Sequence, residues 1–205
     1  VLLAQNDMGR RVTNIVGMGQ GEPFLNYRNV LAALRILNDP QGLAIGARHI
    51  SISTCGVIEG IERFSHEPEQ FTLAVSLHAA RQSTRDLLMP RVARYKLPDL
   101  KQALMRYVKK TNRRVTLEYV MIDNVNDTDR DLEALNAFCS DLLCHVNLIP
   151  INAVEGSPFQ PSDPLVLDQW VQSIQSHGKE ATVRDSRGSD IDGACGQLKR
   201  TKCFT

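Results

Sequence analysis

Nothing in the 205-residue sequence is apolar for long enough to span a bilayer; its longest apolar runs, such as residues 15–18 and 146–151, have the length of buried strands. Neither sign of charge is in excess. A formal net charge of +1 argues against long disorder and gives no global electrostatic reason to expect nucleic acid, so any basic face must be local. No CxxC pair occurs, and the five cysteines, at 55, 139, 144, 195 and 203, are odd in number in a chain of this length. A disulfide framework is therefore not expected, and Cys55, Cys139 and Cys144 read as small buried apolar residues in a reducing, cytoplasmic setting. The opening Val-Leu-Leu-Ala-Gln lacks the basic start and apolar run of a signal peptide; it also lacks an initiator Met, so the chain is expected to be a piece of a longer protein. Low-complexity segments and internal repeats are absent too.

What is present is an alternation of strand and helix. β-rich apolar runs fall at residues 12–18, 49–53, 72–77, 115–122, 146–151 and 181–184. They are short and nearly continuous, the pattern of strands buried on both faces of a parallel sheet. Between them, residues 29–37, 97–109, 129–143 and 165–176 carry apolar positions at helical spacing, among them Leu34, Leu104, Leu135 and Trp170. Such units build either an open doubly wound sheet or an incomplete (β/α) barrel, and periodicity does not separate the two. Residues 1–184 form this α/β body. Residues 185–205, rich in Gly, Asp and Ser, form a C-terminal extension that is expected to return over its open end.

Chemistry-bearing residues cluster after the strands, where parallel α/β folds build their sites. The block Gly17-Met18-Gly19-Gln20-Gly21-Glu22-Pro23 is no dinucleotide fingerprint, because Pro23 and Asn26 follow where a helix should open. Its glycines let the backbone approach a ligand, and Glu22 could accept hydrogen bonds from an ammonium group; a plain Gly-rich turn is the alternative. Ser53-Thr54-Cys55-Gly56 offers hydroxyls that bind a ligand or cap the next helix. Ser76-Leu77-His78-Ala79 puts His78 at a strand end, in a ligand-binding or a structural role. Asn152 offers the donor and acceptor an adenine edge requires, or simply makes a turn. Cys195, between small residues in a loop, has the setting of a reactive thiol, whereas Cys203 does not. Two basic groups, Arg10–Arg11 and residues 109–114, stand out; the second fits the end of a helix, where cations meet the dipole, with a phosphate contact as the alternative.

Taken in order, Gly21–Pro23, Ser53–Gly56, Ser76–Ala79, residues 118–127, residues 148–152 and residues 187–198 resemble the radical S-adenosylmethionine (SAM) methyltransferases that act on adenine carbon-2 of 23S ribosomal RNA and transfer RNA. The resemblance covers nearly the whole chain. It implies a partial (β/α) barrel of radical-SAM type, lacking its N-terminal part, that binds SAM against a 4Fe–4S cluster. Gly21 and Glu22 would hold the methionine amino group. Ser53, Ser76, Leu77 and His78 would contact the rest of SAM, with Asn152 meeting it from another strand end. Cys195 would be methylated by one SAM. Radical cleavage of a second SAM would then activate that methyl group for addition to the electron-poor ring. The implied partners are 23S ribosomal RNA, transfer RNA and a reductant protein for the cluster, with no membrane.

The sequence departs from that family in one decisive respect: the CxxxCxxC cluster motif is absent. The cluster ligands are expected upstream of Val1, and the chain alone is expected to be inactive. Gln20 and Ala153 also depart from the family's pattern. Three other readings compete: methylation at carbon-8 of adenine, a non-catalytic SAM- or RNA-binding remnant, and an unrelated α/β barrel enzyme that would leave Cys195 without a purpose.

Overall fold

A computed structural model describes residues 1–152 and 158–184. Six strands form one parallel sheet: β1 (Ile15–Gly17), β2 (Ile50–Thr54), β3 (Thr72–Ser76), β4 (Val115–Met121), β5 (Cys144–Pro150) and β6 (Glu180–Val183). Their spatial order is β1-β2-β3-β4-β5-β6, each pair parallel. A doubly wound sheet must reverse its strand order at a switch point, and this one never does. Steady advance in one direction is the winding of a (β/α) barrel. The two edges also approach each other: Arg184, just past β6, places its Nη1 3.5 Å from the sulfur of Met18, just past β1. The sheet is thus an open, curled partial barrel.

Seven α-helices lie among the described residues: α1 (Leu2–Met8), α2 (Tyr27–Asn38), α3 (Ile58–Phe64), α4 (Gln82–Leu88), α5 (Leu97–Thr111), α6 (Asp129–Cys139) and α7 (Pro164–Ser176). Periodicity anticipated α2, α5, α6 and α7. It missed α1, α3 and α4, each of only seven residues, because two turns display too little of a 3.6-residue period. Helix α5 starts with Pro98 and Asp99 in its first turn and ends with Lys109 and Lys110 in its last, on an Asn112 in the left-handed conformation (φ 51°). The next cations serve the fold. Arg113 donates to the carbonyls of Glu69 and Phe71, and Arg114 pairs with Glu180. Helix α6 stops at Cys139, earlier than the expected 143, yet Leu142 remains buried in the turn before β5.

Side chains alternate across each strand. Val115, Leu117, Tyr119 and Met121 of β4, with Leu73 and Val75 of β3 and Val146 and Leu148 of β5, join one apolar core with residues of α2, α3, α5, α6 and α7. Trp170 of α7 is 2% exposed and packs its ring 5.4 Å from that of Tyr119. The other face corrects the expectation of strands apolar on both sides. Along it, the strand register places Ser76, Glu118, Asn147 and Thr182 side by side on β3 to β6. A partial barrel needs helices on its outside only, and its inside can be polar where it surrounds a cavity.

Candidate functional site

A cavity of about 600 Å³ opens at the carboxyl ends of the strands and takes lining residues from every strand or the turn after it. The end of β1 and the turn after it supply Gly17 to Pro23, Ser53 to Cys55 come from the end of β2 and just beyond, and Ser76 and His78 from the end of β3 and just beyond. Glu118 and Val120 come from β4, Ile149 from β5, and Arg184 follows β6. No single element could assemble these groups; the barrel winding does.

The rim loop Gly17–Asn26 hangs on one carboxylate. Gly21 takes φ 96°, a conformation that favours glycine, and sets up Glu22. Glu22 Oε1 accepts from the backbone N–H of Phe24 (3.0 Å) and Oε2 from that of Cys55 (2.7 Å). It therefore caps the short 3-10 helix Pro23–Asn26 and ties the rim to the end of β2. Phe24 then seats its ring against Gly60 of α3, where a Cβ would lie 2.4 Å from Cδ2.

The Ser53–Gly56 turn divides its two proposed roles by strand alternation. Thr54 Oγ1 accepts from the N–H groups of Gly56 (3.1 Å) and Val57 (3.3 Å), fixing the approach to α3. The Ser53 hydroxyl, outside these bonds, lies 3.5 Å from that of Ser76 at the cavity, which Thr54 also borders. Burial, together with the Glu22 carboxylate, pushes the Cys55 thiol up to about 12, so at neutral pH it is an unreactive neutral group. Gly56, at φ 99°, leaves room for Arg85: a Cβ there would sit 3.0 Å from Nη2. Arg85 is 1% exposed and donates to the carbonyls of Cys55 (2.8 Å), Ser76 (3.0 Å) and Leu77 (2.5 Å), clamping the ends of β2 and β3 together.

His78 adopts the left-handed backbone conformation, φ 55°. Its Nδ1 accepts from the N–H of Val120 at 3.1 Å, which leaves the proton on Nε2. Burial, aided by the Arg85 charge, lowers its pKa to about 4, so the ring is neutral at physiological pH. Asn126 holds this conformation. Buried completely, it donates through Nδ2 to the carbonyls of His78 (2.7 Å) and Val120 (2.6 Å), and accepts from the N–H of Ile122 (2.8 Å).

Of the residues expected at the site, Gly21, Glu22, Ser53, Ser76 and His78 line this one cavity. Leu77 is buried, and among the described residues its side chain is not part of the lining. Asn152 lies two residues past β5 and is likewise absent from the described lining; Ile149 is what β5 contributes. Cys195, the extension 185–205 and Ala153 lie outside the described residues. Sequence reasoning missed Glu118, Asn147, Arg184, Arg85 and Asn126 as functional candidates. For Glu118 a signal existed: a carboxylate in the middle of Val-Thr-Leu-Glu-Tyr-Val-Met is costly to bury without purpose.

The comparisons with known proteins agree with this geometry. The chain is 43% identical over 201 residues to the probable dual-specificity RNA methyltransferase RlmN of Clostridium perfringens, covering 98% of this chain and 58% of that protein. To the RlmN of Moorella thermoacetica it is 47% identical over 197 residues, covering 96% and 56%. A crystal structure of a radical SAM methyltransferase from Sphaerobacter thermophilus superimposes with a TM-score of 0.91 at 46% identity, over 95% of this chain and 57% of that one. Over nearly its whole length the chain is thus similar to RNA methyltransferases of this kind. No protein-family model matches it. A domain of a pyruvate-formate lyase-activating enzyme from Bacteroides vulgatus, at 16% identity and a TM-score of 0.61, shares the fold over 85% of this chain. The chain spans little more than half the length of the methyltransferases it matches.

The cavity fits SAM in its chemistry: glycine backbone at the rim, hydroxyls at Ser53 and Ser76, an imidazole donor and a buried carboxylate. An iron–sulfur cluster does not fit the described residues, among which no three His, Cys, Asp or Glu side chains are grouped to hold a metal. Cys139 and Cys144 are buried away from the cavity lining. No described helix is long and apolar enough to cross a membrane.

Proposed function

We propose that this chain is the SAM-binding barrel of an RNA methyltransferase that modifies carbon-2 of adenine in 23S ribosomal RNA and transfer RNA. The observation that carries the proposal is the cavity itself. The family-like blocks at Gly21–Pro23, Ser53–Gly56 and Ser76–Ala79, separated by dozens of residues, each contribute to one 600 Å³ space. Its chemistry suits SAM, and relatives at 43–47% identity carry the RNA methyltransferase name. When bound, SAM would supply the methyl group.

The chain's own residues do the holding. The Gly17–Pro23 rim lets a ligand lie against backbone, with Glu22 fixing the shape of that rim. Ser53 and Ser76 present hydroxyls, and neutral His78 points an Nε2–H donor that does not change with pH above about 4. Val120 and Ile149 exclude water from one side. Cys195, as its thiolate, would take the methyl group by displacement at the sulfonium, with S-adenosylhomocysteine as the leaving group. The CxxxCxxC motif is absent from these 205 residues, so reconstitution of this chain alone with iron and sulfide is expected to give no visible-range cluster absorbance.

The test uses the full-length protein. Intact-mass analysis is expected to find one added methyl group on Cys195, and mass spectrometry of RNA modified by it is expected to find 2-methyladenosine. A carbon-8 product would reassign the reaction. Full activity in a Cys195→Ala variant would overturn the proposal.

A further inference from the structure

Glu118 is the one charged side chain set into the inner face of β4 and, at 4% exposure, it still lines the cavity. Its register partners on either side are Ser76 and Asn147. Asn147 Nδ2 donates to Oε2 at 2.9 Å, and Thr182 in turn donates to Asn147 Oδ1 at 3.3 Å. Arg184 approaches the same Oε2, but at 3.8 Å it is beyond hydrogen-bond reach. Both described contacts thus fall on one oxygen of a group that can accept about four hydrogen bonds. Burial raises the proton affinity of this carboxyl, the expected result of removing a charge from water with incomplete compensation. A carboxylate so placed calls for donors from whatever fills the cavity.

The cavity's other charged groups narrow what those donors are. Glu22, the second carboxylate of the lining, already holds two backbone N–H groups and shapes the rim. The Arg184 guanidinium beside Glu118 makes the locality close to neutral overall and disfavours a second cation there. Neutral donors suit it best, and a vicinal diol supplies two of them at a spacing one carboxylate can take. We propose that Glu118 reads the ribose of the bound nucleoside, accepting hydrogen bonds from its hydroxyls, with Asn147 and Arg184 as positioning residues that fix the carboxylate. This rests on the SAM-binding reading above.

The experiment is calorimetric binding of S-adenosylhomocysteine and of its 2′-deoxyribose analogue to the full-length protein, wild type and Glu118→Gln. The wild type is expected to bind the deoxy ligand about tenfold more weakly, the size of one lost hydrogen bond to a charged group. Glu118→Gln is expected to bind the ribose ligand about tenfold more weakly and to discriminate between the two ligands by less than about threefold. Glu118→Asp, which withdraws the carboxylate by one methylene, is expected to lie between them and serves if the Gln variant does not fold. Equal affinity of the wild type for both ligands overturns the proposal without any variant. An unchanged ratio in a folded variant overturns the assignment to Glu118. Failure of the wild type to bind either ligand would instead overturn the SAM reading itself.

Discussion

The rim and the far wall of the cavity are built by different means. The rim, residues 18–26, is a turn and a short 3-10 helix, tied by the Glu22 side chain to the end of β2 and seated by the Phe24 ring on α3. The far wall, from Ser76 to Asn147, consists of adjacent strands in continuous register, reinforced by Asn126 and Arg85, each of which bonds three backbone groups. A wall fixed by ladders keeps its polar groups in place without a ligand. A loop held at two points can adjust to one. The comparison teaches that the protein keeps its rigid part where hydrogen-bond donors and acceptors must be aimed, and its adjustable part where backbone meets ligand.

The comparison breaks most easily at Asn126. Replacing it with Ala leaves the His78 and Val120 carbonyls and the Ile122 N–H without their partner. The expected loss is about 3–4 kcal/mol of stability, measured by urea unfolding. SAM affinity is expected to fall with it, since His78 loses its fixed orientation. A loss below about 1 kcal/mol would show that the wall does not depend on this residue.

The pH dependence tests the same wall from another side. Between the ordinary histidine value of 6.5 and the folded His78 value of about 4, the unfolded chain binds a proton that the folded chain does not. Stability from this source is complete above 6.5 and falls as pH drops toward 4, by up to about 3 kcal/mol. Denaturation midpoints of wild type and His78→Gln across that range should converge in the variant's favour at the acid end. Glu118 carries the opposite sign: its raised carboxyl makes stability fall as pH rises through its folded value, and Glu118→Gln should remove that slope.

At the rim, Gly60→Ala should cost about 2 kcal/mol despite the better helix propensity of Ala, because the new Cβ meets Phe24 at 2.4–2.5 Å. Hydrogen exchange should show the loosening in residues 18–26 and leave β4 and β5 protected. Glu22→Gln is the mildest change. It keeps the shape of the side chain but turns one of two acceptors into a donor facing an N–H, at a cost of about 1 kcal/mol. Faster exchange at the Phe24 and Cys55 amides, with no change at Val120, would mark the rim as independent of the wall. Equal effects at both would merge the two regions.

Much of this protein was already determined in its sequence. The six strand segments, the four longer helices and the position of the glycine, serine and histidine blocks at strand ends follow from local patterning, because a buried face imposes its period on the residues that form it. Glu22 and His78 were legible as candidates for the same reason, as polar residues next to turns. The tertiary structure alone decided three things. It settled the partial barrel that the family resemblance implied and that periodicity alone left open against a doubly wound sheet, since strand order is a matter of which distant segments pair. It aligned Ser76, Glu118, Asn147 and Thr182 into one polar row, since register between strands leaves no mark within any one of them. And it gave the two glutamates separate tasks, Glu22 to hold backbone and Glu118 to face the cavity, because what a carboxylate does depends on the donors that folding brings to it.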